Sequence, residues 1–566
     1  MKKIISLLHS ESEWKKVSSF SYSRRQLFIL ISTIGFAYLI TTPPIYRYAI
    51  SNQTVHLPIV EHVLNPSYLA NDWYVNSAGG FDSPRYFYTR TIALISQLVG
   101  LPTAVFILYI SATVATIIGL WTLIYEIFND KLVATIAVGI TLAHLTAGLP
   151  APDLGGNSLI GSYLDPDKIA NPILIVGLIY SIREEYTKGF FFFGLGTLFH
   201  VVNGFWIALA TGISVAAVEA WPNLREKNYK QSIINVPWHS ALIYGIISSV
   251  VIIPLYMANF TSEVSETAVY IDAWIRHPHH KILTSWNPWL TAATIGAVVV
   301  GCFLLFYFRF VLIPNKQKRQ FIIVYTLSLL SIMFLGGYIF VEVIYVPSIT
   351  QLQAFRIDSF IYVVLYGVLA KLTVFILHRC GYKMNIKPGT FVISMLCIII
   401  ILATVGWGIP FAVAHQGSNQ SLSEIYIQTP SHGEDLENSY AWIQSNTPRD
   451  SVVLAPPSES GVRLATSRAI VVNIKSFPFR HDAILEWEER LNTVCDMNVR
   501  EHEGNVSSIV QSCEENYHNL TESEIKYISK TYRADYAISK NSSYNFPIEE
   551  KFGNYTIYRI NTSTVG

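Results

Sequence analysis

The sequence predicts an α-helical multi-pass membrane protein of about eleven spanning helices, followed by a small C-terminal α/β or α+β domain outside the membrane. Three observations lead there. The 566 residues are 51% hydrophobic and only 14% charged, with a mean hydropathy of +0.36, too apolar a balance for a soluble globular chain. Long uncharged runs recur through residues 1–414. When those runs are threaded through a bilayer, basic residues and N-glycosylation sequons fall on opposite sides.

A bilayer core roughly 30 Å thick takes about 20 apolar residues of helix, and the backbone must pair internally while it crosses. Eleven runs answer that description, at 27–42, 104–125, 132–149, 169–182, 190–202, 204–218, 241–257, 290–308, 321–340, 359–377 and 390–412. The fifth and sixth are separated at Asn203-Gly204. That split puts Arg225, Lys227 and Lys230 on the side of Lys2, Lys3, Lys15, Lys16, Arg24 and Arg25, where Lys131, Arg183, Lys188, Lys316, Lys318, Arg319, Arg379, Lys383 and Lys387 join them. By the positive-inside rule the N-terminus is cytoplasmic and the tail extracytoplasmic, in the plasma (cytoplasmic) membrane. The first run reads as an uncleaved anchor, because Pro43-Pro44 follows it without a small-residue cleavage pattern. Lys371, inside the tenth run, is expected to snorkel toward the cytoplasm. Sequons begin at Asn52, Asn259, Asn419, Asn505, Asn519, Asn541, Asn554 and Asn561, all on the outer side.

The predicted domains are a transmembrane part, 1–414, with a long first outer loop at 43–103, and a soluble outer part, 415–566. Leu57, Val60, Val63 and Leu64, then Tyr86, Tyr88, Ile92 and Leu94, give the first loop the periodicity of amphipathic surface helices. In the tail, 435–445 and 483–491 have helical spacing, while 451–455, 469–474, 534–539 and 555–560 read as strands. No glycine-rich phosphate loop precedes a helix there, and a net charge of +1 without a basic stripe argues against a nucleic-acid partner. Cys302, Cys380 and Cys397 lie in or beside apolar runs and pack as small apolar groups. Cys495 and Cys513, 18 positions apart in the outer tail, are candidates for a disulfide.

Ionisable groups beside a membrane are costly unless they serve a site, so the outer clusters are the candidate functional residues. In the first loop these are Glu61 and Asp72, each a candidate general base or a ligand for a divalent metal against a diphosphate, or a solvated helix cap. Asp165-Pro166-Asp167 is an acid-x-acid pair able to bind a metal, and equally a helix-start signal. Arg276-His277-Pro278-His279-His280-Lys281 gathers three imidazoles and two cations. Phosphate suits it better than a metal, since His279 and His280 are adjacent and diverge. Gln353 and Arg356 stand before the tenth run, where an arginine can fork onto a phosphate.

These features resemble the GT-C superfamily of multi-pass membrane glycosyltransferases, and within it a prokaryotic group with the same plan. The likeness rests on the long acidic first outer loop, the Phe199-His200 turn between two short helices, Arg276-His277-Pro278-His279-His280, the Gln353 to Arg356 segment and the soluble outer tail. It implies transfer of a sugar from a polyprenyl-phosphate donor on the outer face, with membrane lipid and the lipid-linked donor as partners. Asp72 or Glu61 would be the catalytic acid residue, and Arg276 and Arg356 the phosphate ligands. One departure stands out: the acidic pair that many such enzymes carry soon after the first helix is missing, with His56 roughly in its place. A non-catalytic relative, acting as a transporter or flippase for lipid-linked glycans or as an envelope scaffold, is the alternative.

Overall fold

The computed structural model describes residues 23–41, 46–146, 155, 158–260, 265–383, 388–403, 427–428 and 433–560. Lys2, Lys3, Lys15, Lys16, Pro43-Pro44, Lys387 and the sequons at Asn419 and Asn561 lie outside them.

All eleven apolar runs fall on helices in their described parts. Six helical segments are long and apolar enough to cross a membrane: Leu101–Phe128, Val201–Arg225, Tyr229–Asn259, Pro288–Leu312, Lys316–Val343 and Pro347–Cys380. Shorter apolar helices include Lys131–Leu142 and Thr390–Ile400. The chain is therefore an integral membrane protein, by the length and composition of its helices.

The break between the fifth and sixth runs lies at His200, three residues before the expected Asn203. Helix Tyr186–Phe199 stops, and helix Val201–Arg225 starts with the His200 ring accepting from the Asn203 amide. Gly204 is needed for packing rather than for the break, since a Cβ there would lie 2.2 Å from the Thr197 hydroxyl of the preceding helix. A second close approach positions the Gln353 to Arg356 segment. Gly337 leaves room for the Phe355 ring, which a Cβ would meet at 2.8 Å.

The charged residues sort to the two ends of the helix bundle. At one end Glu126 meets Arg183 at 2.8 Å and Lys318 at 3.0 Å. Close by, Lys371 lies 2.9 Å from Asp130 with only 5% of its side chain exposed. The half-buried Asp130 carboxylate, from the turn between helices Leu101–Phe128 and Lys131–Thr146, neutralises it there.

The long segment after the first helix folds into helices Gln53–Leu64, Trp73–Ala78 and Tyr86–Val99. Its start is tied to the tail by a parallel pairing of Tyr46–Arg47 with Ile427–Gln428. The tail builds a five-stranded mixed sheet in the order Ala469–Ile470, Val452–Leu454, Tyr536–Ser539, Tyr555–Arg559, Ile548–Phe552, parallel across the first three strands and antiparallel across the rest. Strand alternation sends Tyr536 and Ile538 to one face and Ala537 to the other. Leu436, Tyr440 and Ile443 of helix Glu434–Asn446 cover the first face. Trp487, Ile509 and Ile525 cover the second, from helices His481–Val494, Val506–Tyr517 and Glu522–Tyr532. Cys495 and Cys513 form a disulfide that joins two of these covering helices, with Cα atoms 4.7 Å apart.

The tail does not hang free of the helical part. Ala268, Ile271 and Ile275 belong to the same apolar cluster as Trp487 and Leu491, so segment 265–276 is embedded in the tail's core. Burial of that area holds the two parts in one arrangement.

Candidate functional site

A cavity of about 580 Å³ lies where the segments between the apolar helices meet the tail, beside the starts of helices Pro166–Ile182 and Val201–Arg225. Its charged lining comes from five separate stretches of chain: Arg85; Asp165, Asp167 and Lys168; Arg276; Arg356; and Lys475. Five cations face two carboxylates there. The imidazoles of His56, His200, His277, His279 and His280 complete the polar wall.

The acidic edge is built by two helix starts. Asp165 precedes helix Pro166–Ile182 in extended conformation, and Pro166 in the first turn fixes the backbone for the helix. The Asn52 amide donates to one Asp165 oxygen at 2.8 Å. The other oxygen lies 3.4 Å from His56 Nδ1, and neither atom has a hydrogen-bond partner. His56 itself is 2% exposed, and both ring nitrogens are unpartnered. Burial, followed by the repulsion of Arg85 and Lys475, holds it well below the usual histidine range, so it is neutral at pH 7. The 3.4 Å approach is then a polar contact and not an ion pair. Burial and then the Asp167 carboxylate push the Asp165 carboxyl up to about 6.

Asp167 is held differently: Lys168 Nζ lies 2.6 Å from one of its oxygens. Lys168 also donates to the Ser158 carbonyl at 2.5 Å. A divalent cation does not fit this pair. Lys168 takes the place a metal would need, and among the described residues no group of three or more His, Cys, Asp or Glu is arranged to hold one. No chemical step is therefore routed through a metal.

The basic edge is assembled across the two parts of the chain. Arg276 Nε donates to the Ile474 carbonyl of the tail at 3.0 Å. Lys475, the next residue, enters the cavity with Nζ 3.5 Å from Ser51 Oγ. Burial and then Arg276 lower the Lys475 ammonium below its ordinary value. Arg356 stands 3.4 Å from His200 Nε2. His200 Nδ1 accepts the Asn203 amide, so its Nε2 carries the proton and two donors stand side by side. Burial and then Arg356 push His200 down to about 4. His280 Nδ1 donates to the Gly155 carbonyl at 2.7 Å. His279, whose surface opens to the cavity, is pushed down to about 4 by its surroundings and then by Arg276.

The cavity thus unites Asp165, Asp167, Arg276, His277, His279, His280, Gln353 and Arg356, which the sequence had marked on separate loops. Three marked residues are elsewhere. Lys281 is buried and paired with Asp272, which also takes the His277 ring at 2.7 Å. Burial alone would raise the Asp272 carboxyl, but Lys281 and His277 hold it well below the usual range. Asp72 is fully buried: one oxygen accepts the Val75 amide at 3.0 Å, the other Arg463 Nε at 2.7 Å and the Ile470 amide at 3.1 Å. Its carboxylate caps helix Trp73–Ala78 and fastens the tail, and it is not among the residues that line the cavity. Glu61 lies on helix Gln53–Leu64 five positions after His56, about 140° around the axis, and faces a different cavity.

Arg85, Lys475 and Asn52 join the site without having been marked. Arg85 packs over the Phe479 ring at 4.4 Å and donates to the Tyr74 hydroxyl at 2.6 Å. No local sequence pattern distinguishes these residues; docking of the tail brings in Lys475 and sets Phe479 against Arg85, while the start of helix Pro166–Ile182 brings in Asn52.

A family described as "Domain of unknown function (DUF6798)" matches residues 434–494. This stretch runs from the tail's first helix to the end of helix His481–Val494. No curated protein matches the chain. Among solved structures, the chain is similar to the crystal structure of ArnT from Cupriavidus metallidurans bound to undecaprenyl phosphate. The identity is 9% and the TM-score 0.37, over 96% of this chain and 100% of that one.

Proposed function

We propose that this protein is a membrane glycosyltransferase of GT-C type that takes a sugar from a polyprenyl-phosphate-linked donor on the extracytoplasmic face. One observation carries the reading: a single cavity at one end of an apolar helix bundle places a carboxyl pushed up to about 6, Asp165, among five cations. A phosphate carried by a long isoprenoid needs that pairing of a cationic pocket with adjacent apolar helices.

In this reading Asp165 is the general base, replacing the first-loop acids Asp72 and Glu61. It takes the proton of the acceptor hydroxyl while the oxygen forms its bond to the anomeric carbon. The bond from that carbon to the phosphate oxygen breaks, and the electron pair leaves on polyprenyl phosphate. A carboxyl of raised pKa is a stronger base than an ordinary one and is still ionised at pH 7. Arg276, Arg356 and Lys475 hold the phosphate and stabilise the charge that develops on it, with His200 and His279 as neutral donors beside them. Asn52 orients the Asp165 carboxylate through its hydrogen bond.

The test is incubation of purified protein with radiolabelled polyprenyl-phosphate sugars and lipid or peptide acceptors. Label transfer that is lost in Asp165→Asn supports the reading. Donor binding without transfer by the wild type favours the transporter or scaffold alternative.

A further inference from the structure

A second cavity, of about 660 Å³, lies between helix Gln53–Leu64 and the tail helices Glu434–Asn446 and Val462–Thr466. Its polar wall is Tyr48, Glu61, Tyr68, Glu437, Gln444 and Ser467. No lysine, arginine or histidine is among its described lining residues, so its electrostatic character is opposite to that of the basic cavity. Burial pushes the Glu61 carboxyl up, and no nearby cation draws it down. Tyr48 lines the same cavity as Glu61, and burial and then the Glu61 charge push its hydroxyl up to about 12. Tyr68 is fixed by donating to the Arg463 carbonyl at 3.2 Å.

We propose that this cavity binds a hydroxyl-rich saccharide that carries no phosphate or carboxylate, either neutral or amine-bearing. Two tyrosine rings offer apolar plates for the C–H face of a pyranose and polar tips for its edge. Glu61 and Glu437 accept from sugar hydroxyls or an ammonium, and Gln444 both donates and accepts. The Glu61 carboxylate, in a wall without lysine, arginine or histidine among its described residues, repels a phosphorylated ligand, which separates this site from the donor cavity. The volume falls in the range of roughly 300–1,000 Å³ usual for small-ligand sites. The site stands independently of the transfer reading, because binding here needs no turnover.

The experiment is calorimetric titration of the full-length protein in detergent with cellotriose, deacetylated chitotriose and trigalacturonate. The expected result is saturable binding of cellotriose or chitotriose and none of trigalacturonate. Binding should weaken at least 10-fold in Glu61→Gln and in Tyr48→Ala, fall less in Tyr48→Phe, and be unchanged when polyprenyl phosphate saturates the basic cavity. No saturable binding of either trisaccharide, equal binding of trigalacturonate, or affinities untouched by both Glu61→Gln and Tyr48→Phe would overturn the proposal.

Discussion

Arg463 Nε donates to Asp72 Oδ2 across 2.7 Å, with both side chains buried and 391 positions between them in the chain. The pair lies between the first outer loop and the tail, and Arg463 Nη1 continues to Ser476 Oγ at 2.7 Å, next to Lys475 in the basic cavity. Position of the tail, and with it Lys475, therefore depends on a charge pair in the loop.

Removing one partner of such a pair leaves the other charged and buried, at a cost of about 3–5 kcal/mol. Asp72→Asn should lower the midpoint of thermal unfolding, and Arg463→Met should lower it comparably. The double variant Asp72→Leu/Arg463→Met should lose less than the two single losses added together. An Asp72→Asn protein of unchanged stability that lacks activity would instead return Asp72 to a catalytic role.

Acid should weaken the fold through the buried neutral histidines. The folded His200 pKa is about 4 against an ordinary 6.5, so its contribution is present above pH 6.5 and lost as pH falls toward 4. Asp165 runs the other way: its folded value of about 6 exceeds the ordinary 3.8, so it favours the folded state below that window and penalises it as pH rises through it. Unfolding midpoints measured between pH 4 and 7 should fall less steeply on acidification in His200→Gln than in the wild type.

Arg356→Ala should weaken equilibrium binding of polyprenyl phosphate by about 10- to 100-fold, the range of a lost hydrogen bond to a charged group, about 1.5–3 kcal/mol. Arg356→Lys should recover only part, because an ammonium cannot fork onto two phosphate oxygens. Binding measured without acceptor isolates this effect from turnover.

The Cys495–Cys513 disulfide closes a loop 18 positions long. Its removal in Cys495→Ala/Cys513→Ala should cost about 3 kcal/mol, as for loops of similar length. Limited proteolysis should then cut first around 495–513.

The helical part was legible because its signal is local: uncharged runs announce helices, and the described parts of all eleven runs lie on them. The tail was legible in its buried strands, such as 452–454, where β-branched residues cluster. Strand Ile548–Phe552 was not, because Ile548, Glu550 and Lys551 make an exposed edge whose composition is that of a loop. In the site, charge beside a membrane marked Asp165, Arg276 and Arg356 on separate loops, and the fold brings the three to one cavity. The role of Asp72 was hidden, because what decides it is Arg463 and the Ile470 amide, far along the chain. A carboxylate reads the same in sequence whether it faces a substrate or a buried guanidinium.

The most direct test of the account is the pH profile of sugar transfer by the wild type together with the turnover of Asp165→Asn. A base must be ionised to act, so the rate should fall on the acid side with an inflection near 6, and Asp165→Asn should retain donor binding while losing about 10²- to 10⁴-fold in kcat. Full turnover by Asp165→Asn, or an acid limb that is unchanged in it, would contradict the account.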